Sequence, residues 1–383
     1  MEEKKKYRIA MAVTNDLVTD RRVDRHCRTL TEAGYEVVLI GRELPGSPSV
    51  ERPYSTLRMT LRHRRSWRFY AEYNWRLAAI LRSMDIDAVW ANDLDTLPGC
   101  WLTARRKRCP LVLDCHELFP EVPEIRHKPV VKAVWQLVER LMPNCNGLLT
   151  VCQSIADLYK EKYGVEMTVV RNLPEIPDHP EVPEAPEKQE KPILLYQGAV
   201  NVGRGVDWAI DALEWLPDCR LVVAGGGDLL EEMKAYAASK PWTDRITFTG
   251  RLEPEKLEAM TTALGIRSSS SCSPKAVGLV MLEDLCLSYH YALPNRIGDF
   301  VQAGIPMVVS DLPEMARVVK EYGIGEVMKA PGARALAESV KKVLAHPWSE
   351  ADFAEARKDM NWSKEKEKLL ETLKQSNNNA IKQ

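Results

Sequence analysis

YRIAMAVTNDLVTDRRVDRHCRTLTEAGYEVVLI, residues 7–40, decides the fold. Tyr7–Val13 is a short apolar run of strand-forming residues, and a polar loop follows it. From about Val23 to Glu32 the apolar positions recur at helical spacing. Gly34 supplies the stop expected just past a helix, and Tyr35–Ile40 is a second buried run. Strand, helix, strand at this spacing is a βαβ unit with parallel strands.

The same alternation runs on. Tyr70–Ser83, Val130–Leu141 and Ser154–Tyr163 read as helices, the last with Ser154 as its cap. Ala88–Ala91, Leu111–Asp114 and Gly147–Val151 read as short buried strands. The periodicity then stops at NLPEIPDHPEVPEAPEKQEKP from Asn172, where Pro and Glu dominate; this is a stiff linker. Beyond it, Ile193–Gln197, Arg220–Ala224, Ile246–Thr249, Gly278–Leu282 and Pro306–Ser310 are expected strands. Val206–Leu216, Leu229–Ser239, Glu255–Ala263, Arg296–Ala303, Ala333–Ala345 and Glu350–Lys374 are expected helices. The expectation is an α/β protein with two doubly wound, Rossmann-like domains, each a mostly parallel sheet covered on both faces. Ligands of such sheets bind beyond the carboxyl ends of the strands, so two of them facing each other enclose a cleft. Residues 267–275, with their serine run, interrupt the pattern. ALGI at 263–266 and AVGL at 276–279 look like two starts of one strand, which makes 267–275 a mobile insertion.

The bulk numbers narrow the function. The 383 residues suit two or three domains, and 45% hydrophobic content supports sizeable cores. A net charge of −1 gives no global reason to expect a nucleic-acid partner. No apolar run reaches the roughly 18–20 residues of a membrane span, and the charged N-terminus has no signal core. The expected location is the cytoplasm. Nine scattered cysteines without a Cys-x-x-Cys pair argue against a zinc site or a disulfide framework.

The chemistry concentrates in YHYALPNRIGDFVQAGIPMVVSD, residues 289–311. Asn295 after Pro294 is placed to cap a helix from Arg296, and Asp299 lies in its first turns. A helix start offers backbone N–H groups to a diphosphate, and a carboxylate on it can accept two hydrogen bonds from a ribose diol. LYQGAVNVGRGVD, residues 195–207, sets Arg204 between glycines after a strand, with Gly198 and Gly205 at its turns. VAGGGD, residues 223–228, places Gly226 and Gly227 between a strand and a helix, where backbone can approach a ligand closely. In the first half, LVLDCHELFP, residues 111–120, sets His116 and Glu117 after a buried strand, and ANDLDT puts Asn92, Asp93 and Asp95 at the end of another.

In this order the segments resemble the glycosyltransferases of the GT-B fold, in particular the retaining, family 4-like group that builds bacterial cell-surface polysaccharide. The resemblance covers nearly the full chain. It implies transfer of a sugar from a nucleotide-diphosphate sugar to an acceptor with retained anomeric configuration, without a metal or other cofactor. Residues 7–172 then form the acceptor-side domain, 173–192 the linker, 193–347 the donor domain, and 348–374 a helix crossing back to the first domain. Asp299 takes the place of the carboxylate that holds the ribose, Arg204 that of a base on the donor phosphates, and His116 lies near the reacting carbon. Gly198, Gly205, Gly226, Gly227, Pro294, Asn295 and Arg296 border the donor, with Arg251 or Arg296 as a second cation and Glu283 as a sugar-facing acid. Asn15, Asp16, Arg21 or Arg22, Asp93 and Glu117 fall on the acceptor side. The chain departs from the family pattern in three places: Asp299 stands where Glu is usual, Tyr291 where an acid is usual eight residues earlier, and Ala199 where a second base is common. These departures keep two alternatives open, a nucleotide-sugar epimerase on the same fold and a degenerate, non-catalytic nucleotide-sugar-binding protein. RMTLRHRRSWR, residues 58–68, carries five arginines and suits an anionic lipid surface or a lipid-linked acceptor at the inner face of a membrane.

Overall fold

A computed structural model describes residues 6–175, 191–266 and 270–382, which divide into two units: residues 1–171 with 365–383, and residues 172–364. The 176–190 part of the expected linker and residues 267–269 of the expected insertion lie outside the described residues.

The first unit holds β1 (Arg8–Ala12), β2 (Glu36–Arg42), β3 (Ser55–Met59), β4 (Ala88–Asn92), β5 (Leu111–Cys115), β6 (Gly147–Thr150) and β7 (Thr168–Val169). All pair in parallel, in the order β3-β2-β1-β4-β5-β6-β7. The order reverses beside β1, where Ala10 sits between Val38 of β2 and Val89 of β4. Every residue of β4 and β5 is buried, because helices cover both faces. The helix Arg21–Glu32 begins where the Asp20 carboxylate accepts the Val23 N–H.

Three first-unit elements differ from the pattern reading. β3 is an edge strand with a half-polar sequence, STLRM, which masks its pairing with β2. The helix Leu97–Lys107 opens LPG; Pro98 fits its first turn, and Gly99 is needed because a Cβ there would come 2.8 Å from the Asn74 carbonyl. Ser154 is not a cap, since the helix Gln153–Tyr163 already contains it.

The second unit holds β8 (Ile193–Gln197), β9 (Arg220–Ala224), β10 (Ile246–Gly250), β11 (Ala276–Val280), β12 (Met307–Val309) and β13 (Gly325–Val327), all parallel, in the order β10-β9-β8-β11-β12-β13. Its order reverses beside β8, between β9 and β11. Of the two candidate strand starts, 276–279 is the strand. Leu264–Ile266 instead ends the helix Pro254–Ala263, and the Ile266 N–H donates to the Gly304 carbonyl. The insertion is not wholly a free loop, because Cys272 exchanges two backbone hydrogen bonds with Trp348. The helix Pro313–Tyr322 joins β12 to β13 and is absent from the pattern reading, although it exposes Arg317, Lys320 and Glu321 and buries Met315, Val318 and Val319.

The last helix, Trp362–Lys382, belongs to the first unit from Glu365 onward. Glu365 is fully buried and accepts hydrogen bonds from the Arg171 backbone N–H (2.9 Å), Nε (2.9 Å) and Nη2 (2.8 Å). The nine cysteines are free thiols, and among the described residues no helix is long and apolar enough to cross a membrane. Glu365→Ala leaves the Arg171 guanidinium without its carboxylate, and the expected loss in urea unfolding of the first unit is about 3 kcal/mol.

Candidate active site

In the first unit the carboxyl ends of β1, β4 and β5 gather a chain of charges. Asp114, near the end of β5, has no exposed surface. Its two oxygens accept from Arg22 Nε (2.9 Å) and Nη2 (2.7 Å), and Arg22 Nη1 donates to the Val170 carbonyl (2.7 Å). His26 Nδ1 lies 3.3 Å from the same carboxylate, and His116 Nε2 lies 3.1 Å from it. The other ring nitrogen of His116 lies 3.1 Å from Asp93 Oδ2, and Asp93 Oδ1 accepts the His116 backbone N–H at 2.7 Å. Asp93 reaches both groups from a left-handed backbone (φ 62°), a conformation Asp tolerates better than most residues.

These contacts set the protonation states. Burial opposes a charge on Asp114, yet Arg22, His116 and His26 together hold its carboxyl well below the usual range. Burial likewise opposes a charge on His116, and the carboxylates of Asp93 and Asp114 outweigh it, so its pKa is well above that of free imidazole. His116 is therefore an imidazolium whose two N–H groups point at carboxylates, which makes it a cation and a poor proton acceptor. His26 goes the other way: burial, then the Arg22 charge, keep it neutral. Burial, and next to it Asp93, push Asp95 up to about 7, and Thr14 Oγ1 donates to it.

The other first-unit candidates hold the loops around this cluster. Arg22 is not a free phosphate ligand, because Asp114 and Val170 occupy it, whereas Arg21 is exposed. Asn15 links Asp20 and the Leu17 N–H, and Asp16 accepts from Ser47 and the Val18 N–H. Asn92 is buried and donates to the Ala12 carbonyl, so it joins β4 to β1. Glu117 is exposed beside His116.

In the second unit, two glycine turns meet at the ends of β8 and β9. Gly198 donates to Ala224 and Val200 to Gly226, and a Cβ at Gly225 would come 1.7 Å from the Gly198 carbonyl oxygen. Gly227 is equally closed, with the Val200 carbonyl 2.4 Å from its Cβ position. Gly198, Gly203 and Gly205 all take positive φ. This backbone seats Arg204, whose guanidinium lies 4.9 Å from the Tyr289 ring centroid.

Arg296 opens the helix Arg296–Ala303 and is buried, 4.8 Å from the Tyr196 ring centroid. Its Nη1 and Nη2 donate to the carbonyls of Gln197 (2.9 Å) and Met281 (3.2 Å). Burial lowers its pKa, and the Arg204 charge adds to the effect. Neither arginine is paired with a carboxylate, and the Nε of each is buried without a hydrogen bond among the described residues.

Asp299, one turn into the same helix, accepts from Gln197 Nε2 at 2.9 Å, and Thr261 Oγ1 donates to the other end of that amide at 3.0 Å. Glu283 lies past β11, its backbone N–H on the Gly203 carbonyl; partial burial, then Asp207, raise its pKa. Arg251 is exposed past β10, its Cβ 3.8 Å from where a Cβ on Gly226 would stand. Asn295 is not a side-chain cap: its backbone is already helical (φ −54°, ψ −35°), and the side chain makes no cap hydrogen bond. It follows Pro294, whose carbonyl accepts the Ile297 N–H.

Sequence reading missed Asp114, His26, Gln197, Tyr196, Tyr289 and Thr261. Only Gln197 had a local signal, as the last strand residue before a Gly turn.

Comparisons with known proteins cover both units. Residues 19–173 match the model described as Glycosyltransferase Family 4, and residues 178–289 the model described as Glycosyl transferases group 1. The 2-deoxystreptamine glucosyltransferase of Streptomyces kanamyceticus is 25% identical over 379 residues, 88% of this chain and 92% of that protein. Among solved structures, sucrose-phosphate synthase from Thermosynechococcus elongatus superposes with a TM-score of 0.75 at 16% identity, over 97% of this chain and 99% of that one. HepE from Anabaena, solved with UDP-glucose, gives 0.70 at 12% identity, over 96% and 99%.

The state of His116 is testable directly. Its raised pKa means that the stability from its proton is fully present below about pH 6.5, the ordinary imidazole value, and is lost as pH rises through the folded value. Nitrogen-15 spectra of the imidazoles are expected to show His116 still doubly protonated at pH 8, and Asp93→Asn to bring its titration down toward the ordinary range.

Proposed function

The chain belongs to the family 4-like glycosyltransferases of the GT-B fold, and from that premise we propose that it moves a sugar from a nucleotide-diphosphate sugar to an acceptor with retention of anomeric configuration. The observation that carries the donor assignment is the pair Arg204 and Arg296. Two guanidiniums over tyrosine rings, close enough to repel and without a carboxylate partner among the described residues, form a site that an anion stabilises. The leaving nucleoside diphosphate gains negative charge as the glycosidic bond breaks, so cations fixed at its oxygens lower the barrier. Both arginines would supply that charge without a metal ion. Asp299, oriented by Gln197, is the carboxylate for the ribose diol, and the Gly198–Gly205 and Gly225–Gly227 turns bring backbone close to the phosphates. The UDP-glucose held by the HepE neighbour supports a nucleotide-sugar donor.

His116 serves as a cation beside the transferred sugar. Its protonated state supports retention, because inverting transfer needs a base on the acceptor hydroxyl and this imidazole holds its proton. Asp93 and Glu117 complete the acceptor side. The arginines of residues 58–68 suit an acceptor carried on an anionic lipid surface. In this proposal the enzyme works in the cytoplasm, at the inner face of the membrane, in polysaccharide or glycolipid synthesis.

Thermal denaturation with UDP, GDP, ADP and dTDP tests the donor site. One nucleoside diphosphate, at a hundred times its Kd, is expected to stabilise the protein by about 2.7 kcal/mol, equally with magnesium or with EDTA. Arg204→Ala and Asp299→Ala are expected to lose most of that shift. A well-folded protein that responds to none of the four would sink the reading.

A further inference from the structure

The helix Pro129–Glu139 (PVVKAVWQLVE) faces solvent with the wrong side chains. Its inner face is Trp135 and Glu139, both buried. Trp135 packs edge-on against Tyr70 (4.9 Å) and Phe119 (4.7 Å), and Glu139 accepts from Tyr159, Lys162 and Tyr163. The outer face of an ordinary surface helix is polar. Here it is Val130, Val134 and Leu137, at the i, i+4 and i+7 positions of one stripe, exposed by 75%, 54% and 62%.

The surroundings of this stripe are basic. Arg126, Lys128 and Arg140 flank it and are exposed; of the nearby acids, Glu121 and Glu139 are tied to Lys132 and Lys162, and Glu124 is exposed. The arginine-rich segment reaches this helix from its inner side. Tyr70 touches Trp135, and one turn before it Trp67 is 73% exposed with Arg68 stacked on its ring. Arg62, Arg64 and Arg65 precede it in an exposed loop. Residues 58–68 span two elements: Arg58 lies in β3, and the helix begins at Ser66.

We propose that the helix Pro129–Glu139 lies in the surface of an anionic lipid bilayer, with Val130, Val134 and Leu137 among the acyl chains and the flanking bases at the headgroups. An apolar stripe rimmed by cations matches the two layers of such a surface, while a second copy of this face would bring like charges together. The inference deepens the membrane-facing part of the proposed function and rests on it for the acceptor. It names the inserting element and does not depend on which donor the enzyme uses.

Flotation of the full-length protein with vesicles tests it. Binding is expected to vesicles of phosphatidylcholine with phosphatidylglycerol and not to phosphatidylcholine alone, and Val134→Glu with Leu137→Glu is expected to weaken it about tenfold or more. Thermal denaturation, with the nucleotide response measured alongside, confirms that the double variant is folded and keeps that failure distinct from failure of the donor site. In a second variant, Val134→Trp, the fluorescence of the added tryptophan is expected to shift to the blue when anionic vesicles are added. Equal binding by wild type and double variant, no binding by wild type, or no blue shift would overturn the proposal. So would light scattering that shows a wild-type dimer, a monomeric double variant, and lipid binding by neither.

Discussion

A carboxylate with no exposed surface sits at the centre of the first unit, and its neighbours are arranged to keep it charged. Burying Asp114 alone would cost several kcal/mol. Arg22 answers with two hydrogen bonds from one rigid guanidinium, and its third reaches Val170 beyond β7. One side chain thus fastens the helix Arg21–Glu32 to β5 and to the far edge of the sheet. His116 takes its position from the same carboxylate, and its charge from Asp114 and Asp93 together. The titrating neighbours answer to the same burial and charges: the pKa of His26 is lowered, and that of Asp95 is raised to about 7. Two anions and two cations therefore face one another, and the imidazolium is fixed where a free histidine would titrate.

The second unit applies the opposite rule. Arg204 and Arg296 lie over the rings of Tyr289 and Tyr196, Arg296 donates to two carbonyl oxygens, and among the described residues neither forms an ion pair with an acid. Aromatic faces and carbonyl dipoles soften the desolvation of a guanidinium without cancelling its charge. The first-unit cluster is complete in itself and can present a fixed geometry to a neutral sugar. The second-unit cluster is incomplete without an anion. That difference is the physical basis of the proposal that the second unit recognises the phosphates.

What the sequence made legible was whatever short-range pattern determines. Strands buried on both faces are continuous apolar runs, so β1, β2, β4, β5, β8 and β9 stand out, while the half-polar edge strand β3 does not. Gly265 and Gly278 lie in look-alike tetrapeptides, and only tertiary contacts separate them. Gly265 abuts the Ala303 carbonyl at a helix end, whereas Gly278 lies in a strand under the Phe300 ring. Arg22 looked like a phosphate ligand because its partner, Asp114, is ninety-two residues away. Asp299 and Arg204 were readable from family-like spacing. The groups that orient them, Gln197, Thr261 and Tyr289, carry no pattern of their own, because orientation comes from packing between elements.

The path from the first-unit cluster to its surface is short and continuous. The chain leaves His116, buries Leu118, and turns at Phe119 and Pro120, where Phe119 meets Trp135. Trp135 is the inner anchor of the helix whose outer stripe is Val130, Val134 and Leu137. Tyr70 packs on the same indole and carries the arginine segment with it. One tryptophan therefore holds three things in register: the segment that follows His116, an apolar helix face, and a cluster of cations. A helix that served only to cover the sheet would need Trp135 and Glu139, and would leave its outer positions to residues that favour water. Keeping valine and leucine there makes sense where the outer solvent is not water, and it ties the depth of that helix in a membrane to the position of His116.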